Sequence, residues 1–255
     1  MLFDRIVYGP IHSRRLGVSL GVNLMPIDAK LCTFNCIYCE CGWNKEVLHP
    51  TLPKRQEVSE ALERQLSVMK ADKAELDVIT FSGNGEPTLH PDFENIIADT
   101  CMLRDKYFPD AKVSVLSNST QLQRKDVVRG LKMADNRILK LDSAIEQTMH
   151  LIDNPVNKTL TVEQIKQMLQ QFEHQFTLQT CFLKGTYNGV KIDNTTEEEL
   201  KAYYSFVGEV APKNIMIYVI DRTTPCSTLE KIPQDKMQQI AMRLRKMGFE
   251  VSVSA

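Results

Sequence analysis

The sequence predicts an α/β protein, a partial (β/α)6 TIM-like barrel, and three observations support this. Short β-branched runs alternate with amphipathic helical stretches along the chain, the pattern of a sheet assembled from parallel βα units. Six such units can be counted in the 255 residues, whereas a closed barrel takes eight units in about 250 residues. The segment before residue 53 reads mostly as loop, which leaves no room for two further units. A doubly wound open sheet is the alternative architecture. Under either one, function belongs at the C-terminal ends of the strands.

The elements follow in order. Residues 18–25 form the first apolar run, stopped by Pro26. A polar loop with cysteines comes next, then a helix from Pro53, a residue suited to a first helical turn. Val58, Leu62, Leu66 and Met69 repeat on one face of it. Residues 76–81 read as a second strand, 91–107 as a helix, 112–116 as a third strand and 124–133 as a short helix. The fourth strand is 137–141. Thr161 and Gln164 then mark a capping box for a helix that turns Val162, Ile165, Leu169 and Phe172 one way. Residues 176–183 form the fifth strand; Thr195 or Thr196 caps the next helix, and Glu197, Glu198 and Glu199 complement its dipole. Residues 214–220 form the sixth strand, a helix spans 233–247 with Gly248 as its stop, and 249–253 suits one more short strand. Residues 1–17 are read as an N-terminal arm, and 18–255 as one core domain with a short C-terminal extension.

Composition narrows the class. Apolar residues make up 43% and charged residues 25%, with 31 basic against 32 acidic side chains and a net charge of -1. That balance gives no electrostatic push toward nucleic acid. No apolar run reaches the roughly 18 residues of a membrane span, and the N-terminus lacks the pattern of a secretory leader. A cytoplasmic protein without a membrane partner is expected. Four of the seven cysteines fall within residues 32–41, and clustered cysteines in a reducing compartment point to metal binding or catalysis.

That segment reads Cys32-Thr33-Phe34-Asn35-Cys36-Ile37-Tyr38-Cys39-Glu40-Cys41. Thiolates suit Fe–S clusters or zinc. Four would complete a [4Fe-4S] cluster, whereas three leave one iron open to bind and activate something. The C-x3-C-x2-C spacing after the first strand, with Tyr38 supplying an aromatic, resembles the radical S-adenosylmethionine (SAM) superfamily. The resemblance implies a [4Fe-4S] cluster on Cys32, Cys36 and Cys39, with the amino and carboxylate groups of SAM on the free iron. It also implies an electron donor such as flavodoxin or ferredoxin. One electron would cleave SAM to methionine and a 5′-deoxyadenosyl radical, which takes a hydrogen atom from the substrate. Cys41 departs from the pattern; a spare thiol, a fourth ligand and part of a structural zinc knot all stay open for it.

The later strand ends carry further candidates. Ser82-Gly83-Asn84-Gly85-Glu86-Pro87 resembles the family's Gly-Gly-Glu loop, which holds the methionine part of SAM; Asn84 stands where the family often has Gly. Glycines let backbone approach a ligand closely, and Glu86 suits an ammonium group, although G-x-G turns are common in ordinary loops. Ser117 and Asn118 end the third strand, as SAM contacts or as simple turn chemistry. Lys140 and Asp142 form a charged pair at the end of an apolar strand, which is unusual unless paired or functional; Asp142 is the candidate for a ribose or substrate contact, with Lys140 its alternative salt-bridge partner. Gln179 and Thr180 interrupt the fifth strand and are candidate contacts to SAM or substrate; Ile217, Tyr218 and Val219 suit an apolar wall against adenine, or ordinary strand core. Cys226 is a candidate hydrogen donor to a substrate radical, or an inert thiol.

Residues 8–17, with Arg14 and Arg15 as candidate phosphate or carboxylate binders, and residues 83–91 resemble a subgroup related to the wyosine-type tRNA modification enzymes. This implies tRNA as a substrate, which the neutral charge balance does not favour. A protein- or peptide-modifying role, such as glycyl-radical activation, is the alternative within the enzyme class. A non-catalytic zinc-binding module is the alternative outside it.

Overall fold

A computed structural model describes residues 2–13, 16–45 and 50–254. The chain divides into two compact units, Met1–Cys32 with Asn44–Ile138, and Thr33–Trp43 with Leu139–Ala255. The division falls inside one strand, β5 (Asn136–Lys140).

In the first unit, β2 (Gly17–Val22), β3 (Val78–Phe81) and β4 (Lys112–Ser117) pair in parallel, with Val22 opposite Phe81 and Phe81 opposite Val115. Every residue of β3 is buried, as expected of a parallel strand covered on both faces. Leu20, Val22, Ile79, Phe81, Val113 and Val115 form the centre of the core. The helices are α1 (Arg55–Ala71), α2 (Phe93–Tyr107) and α3 (Lys125–Met133). Val58, Leu62, Leu66 and Met69 of α1 are buried, the face its periodicity predicted. Gly130 of α3 lies against the Phe93 ring of α2, where a Cβ would come within 2.9 Å.

The segment before β2 is more than an arm. β1 (Val7–Ser13) pairs antiparallel with β2, with Val7 opposite Val22 and Ser13 opposite Gly17. The Tyr8 ring stacks on Phe3, lies across Gly21, and bonds Ser82 through its hydroxyl at 2.7 Å. Most of β1 is exposed, so no apolar alternation announced it. Arg14 and Arg15 lie outside the described residues.

The second unit contains β6 (Thr177–Tyr187), β8 (Asn214–Val219) and β10 (Glu250–Ser254), with β6 parallel to β8 and β8 parallel to β10. Four helices accompany them: α4 (Glu146–Asp153), α5 (Val162–Gln170), α6 (Glu197–Val210) and α7 (Gln234–Lys246). The Thr161–Gln164 capping box is formed. Thr196, not Thr195, caps α6; Thr195 turns back to Asp193. Strand β6 runs four residues past the expected end. There it pairs antiparallel with β7 (Val190–Asp193) through a tight Asn188-Gly189 turn, and with β9 (Leu229–Lys231).

Along the chain, β2–α1, β3–α2, β4–α3, β5–α4/α5, β6–α6 and β8–α7 are six strand-to-helix steps, closed by β10. The class is the expected one, α/β of the partial (β/α)6 barrel type. Among the described residues no helix is long and apolar enough to cross a membrane.

Candidate functional site

The residues singled out from the sequence divide between the two units. In the first, the glycine loop after β3 anchors the start of the cysteine loop. Leu31 and Gly85 form a parallel bridge, Leu31 N–H donates to the Asn84 carbonyl at 2.9 Å, and Glu86 N–H donates to the Leu31 carbonyl at 3.0 Å. Only glycine fits at 85: φ is +144°, and a Cβ would stand 1.7 Å from the Leu31 carbonyl oxygen. Gly83 (φ +134°) packs against the Asn23 side chain, where a Cβ would stand 2.6 Å from Asn23 Oδ1.

The Asn84 side chain is fully buried and holds the chain together. Its oxygen accepts from Phe3 N–H at 2.8 Å, and its nitrogen donates to the Phe3 and Pro26 carbonyls, each at 2.8 Å. Asn23, which the sequence reading missed, accepts from Asn84 N–H at 3.0 Å. Asn in place of the family's Gly is thereby explained by the N-terminal segment it binds.

Glu86 is also buried. One carboxylate oxygen accepts from Thr88 and from Ser117 Oγ at 2.8 Å; the other accepts from Asn118 N–H at 2.7 Å. Burial raises its pKa, against the lowering pull of Asn118, Thr88 and Ser117. Asn118 Oδ1 accepts from Thr120 N–H and Oγ, which fixes the amide, and Nδ2 then donates to Cys32 Sγ at 3.5 Å. Asn44 Nδ2 holds the Cys32 carbonyl at 3.0 Å. Cys32, Gly85, Glu86, Ser117 and Asn118 are thus brought together.

In the second unit, the rest of the cysteine loop is stitched to the end of α4. Asn35 N–H donates to Asp153 O at 3.0 Å, Ile37 N–H to Ile152 O at 3.0 Å, and Val156 N–H to Thr33 O at 2.8 Å. Ile37 is buried with Ile152, Cys181, Leu183 and Ile192. The loop before β9 joins it as Cys226 N–H donates to Ile37 O at 3.2 Å; Cys226 Sγ itself lies 3.2 Å from Thr228 Oγ.

Cys36, Tyr38, Asp142 and Tyr218 gather around Lys140. Its Nζ lies 3.3 Å from Cys36 Sγ, 2.7 Å from Asp142 and 2.5 Å from Asp153. Tyr38 Oη donates to Asp142 Oδ2, Tyr218 Oη reaches Tyr38 Oη at 3.4 Å, and Cys181 N–H donates to Asp142 Oδ1 at 2.9 Å. Burial pulls the Lys140 pKa down, but Asp142, Asp153 and Cys36 outweigh it and hold the pKa well above the usual lysine value. Burial, opposed by Lys140 and aided by Asp142, raises Asp153 to about 7. Asp153 was missed because α4 was not read from the sequence. Gln179 stands apart from this group, its amide donating to Met216 Sδ at 3.3 Å.

The donor set suits an iron–sulfur group. Metal needs thiolates, and both a buried ammonium and an oriented amide donate to cysteine sulfurs. Among the described residues no three His, Cys, Asp or Glu side chains meet as a metal-ion site.

The Radical SAM superfamily model matches residues 27–207. A Brachyspira hyodysenteriae protein named GTPase Obg is 29% identical over 97% of this chain, which spans only 34% of that relative's length. The UPF0026 protein slr1464 of Synechocystis is 30% identical over 86% of this chain and 77% of its own. Among solved structures, Streptococcus suis SuiB bound to S-adenosylmethionine aligns with a TM-score of 0.63 and 15% identity, over 89% of this chain and 49% of that one. TYW1 with a lysine-pyruvate adduct bound aligns with a TM-score of 0.61 and 16% identity, over 89% and 73%. These likenesses are of fold. The chain belongs to the Radical SAM superfamily and to the UPF0026 proteins.

Proposed function

We propose that this chain is a radical SAM enzyme in which Cys32, Cys36 and Cys39 hold a [4Fe-4S] cluster. Gly83, Gly85, Glu86, Ser117 and Asn118 would bind the methionine part of SAM, and Tyr38, Asp142, Gln179 and Tyr218 its nucleoside or the substrate. For Asn84 the geometry supports a structural role, its side chain binding Phe3 and Pro26. The cluster, when bound, supplies the electron for reductive cleavage of SAM to a hydrogen-abstracting radical. The protein's own part is to fix the cysteine loop, through Leu31–Gly85 and through α4, and to present donors to its sulfurs.

One observation carries this reading: two cysteines of the C-x3-C-x2-C loop receive donors on sulfur, Cys32 from Asn118 in the first unit and Cys36 from Lys140 in the second. Anaerobic reconstitution should give a brown protein with about four irons and four sulfides per chain. Dithionite with SAM should then release 5′-deoxyadenosine. A colourless protein with stoichiometric zinc and no SAM cleavage refutes it.

The substrate reading is tRNA, by the likeness to the wyosine-type enzymes, with flavodoxin or ferredoxin as electron donor. SuiB has been solved with its precursor peptide SuiA, so a peptide or protein substrate is the second reading. Co-purifying tRNA that dissociates steeply with salt supports the first; retention of one polypeptide supports the second.

A further inference from the structure

Lys140 is the last residue of β5, and its side chain is 12% exposed. Its three ammonium hydrogens have three acceptors: Cys36 Sγ, Asp142 Oδ2 and Asp153 Oδ1. The ammonium also lies over the rings of Tyr38 at 4.7 Å and Phe34 at 5.5 Å. Asp142 and Asp153 are both buried to within 1% of full exclusion.

Such a cluster is a poor way to stabilise a fold. Buried ion pairs seldom outperform apolar residues of the same volume, because desolvation offsets their attraction. Nor does Lys140 suit a nucleophile or base. Two buried carboxylates lie within hydrogen-bond distance of its nitrogen, and a Schiff base needs a free amine. What the arrangement does achieve is to set an ammonium within hydrogen-bond reach of one sulfur, with a buried carboxylate, Asp153, 3.6 Å from the same sulfur.

We infer that Lys140 is a positioning residue that sets the reduction potential of the cluster through Cys36, with Asp153 acting in the opposite sense. The inference rests on the cluster reading above. Reduction adds negative charge to a cluster, and cluster potential follows net charge and the hydrogen bonds to its sulfurs. An ammonium on a ligand sulfur favours the reduced form; a buried carboxylate beside it disfavours that form. Asn118 on Cys32 provides a similar hydrogen bond without the charge.

The test is an EPR-monitored redox titration of the reconstituted holoenzyme, without SAM. Lys140→Met should shift the midpoint to more negative potential, and Lys140→Arg should keep it near wild type. Asp153→Asn should shift it to more positive potential, and this second variant reads the effect even if Lys140→Met does not fold. A purely structural role moves none of these midpoints while iron content stays intact, and that result overturns the inference alone. A negative shift in Asp153→Asn also overturns it. Wild-type protein with no EPR-active cluster overturns the cluster reading and this inference together.

Discussion

Tyr38 Oη donates to Asp142 Oδ2 at 2.5 Å, tying the aromatic between Cys36 and Cys39 to the second residue past the end of β5. Burial first, and Asp142 second, hold the Tyr38 pKa well above the tyrosine norm, so the hydroxyl remains a donor. The loop's aromatic is therefore a tether as well as a packing residue. Tyr38→Phe leaves Asp142 with Lys140 and Cys181 N–H as donors. It should lower stability by about 1–3 kcal/mol, the cost of one lost bond to a buried charge. Alkylation of Cys36 and Cys39 in the cluster-free protein should accelerate. Unchanged urea midpoints and unchanged alkylation rates would show that only the ring matters.

Gly85→Ala should be among the most damaging single substitutions. The new methyl group would strike the Leu31 carbonyl, at a φ of +144° that L-residues rarely adopt. Backbone strain alone is worth roughly 1–3 kcal/mol, and the clash removes the bridge that fixes the start of the cysteine loop. Far-ultraviolet melting and iron uptake should both fall. Gly42→Ala is the control, because nothing lies within 4 Å of its Cβ position, although its own φ is +83°.

Glu86→Gln keeps shape but removes charge and one acceptor. Glu86 Oε2 receives Asn118 N–H and Oε1 receives Thr88 and Ser117, so a terminal amide must turn its NH2 toward one donor. The expected loss is about 1–3 kcal/mol, measured by urea unfolding without SAM. Stability equal to wild type would mean that Glu86 is not a structural anchor and is held in place for ligand alone.

Much of this was legible because parallel strands and amphipathic helices write themselves in apolar spacing: Val58, Leu62, Leu66 and Met69 are all buried. The Lys140–Asp142 ion pair was legible for a related reason, since charges at the end of an apolar strand need partners. The missed elements lacked that spacing. β1 is largely exposed and carries no alternation. Helix α4 is eight residues long and buries only Met149, Ile152 and Asp153, too short a stripe to stand out. The β6–β7 hairpin did have a signal, since Asn188-Gly189 is the preferred two-residue turn, with φ of 49° and 77°. The role of Asn84 could not be read at all, because its partners Phe3 and Pro26 are distant in sequence.

His90 provides a pH-dependent test of the junction between the glycine loop and the helices. The ring is buried; Nε2–H donates to the Pro53 carbonyl at 2.8 Å, and Nδ1 accepts Asp92 N–H at 3.1 Å. Both bonds hold together only in the neutral ring, since protonation of Nδ1 removes its lone pair. Burial lowers the folded pKa below the ordinary 6.5, assisted by Arg124 and opposed by Pro53 and Asp92. The unfolded chain therefore binds a proton near pH 6.5 that the folded chain refuses. This contribution to stability is complete above 6.5 and is lost as pH falls through that value toward the lower folded pKa. Urea midpoints measured one pH unit on either side of 6.5 should drop more steeply on acidification in wild type than in His90→Gln, whose amide does not titrate. Equal slopes in the two proteins would mean that the ring accepts its second proton in place, and that the Asp92 N–H bond contributes nothing to the native state.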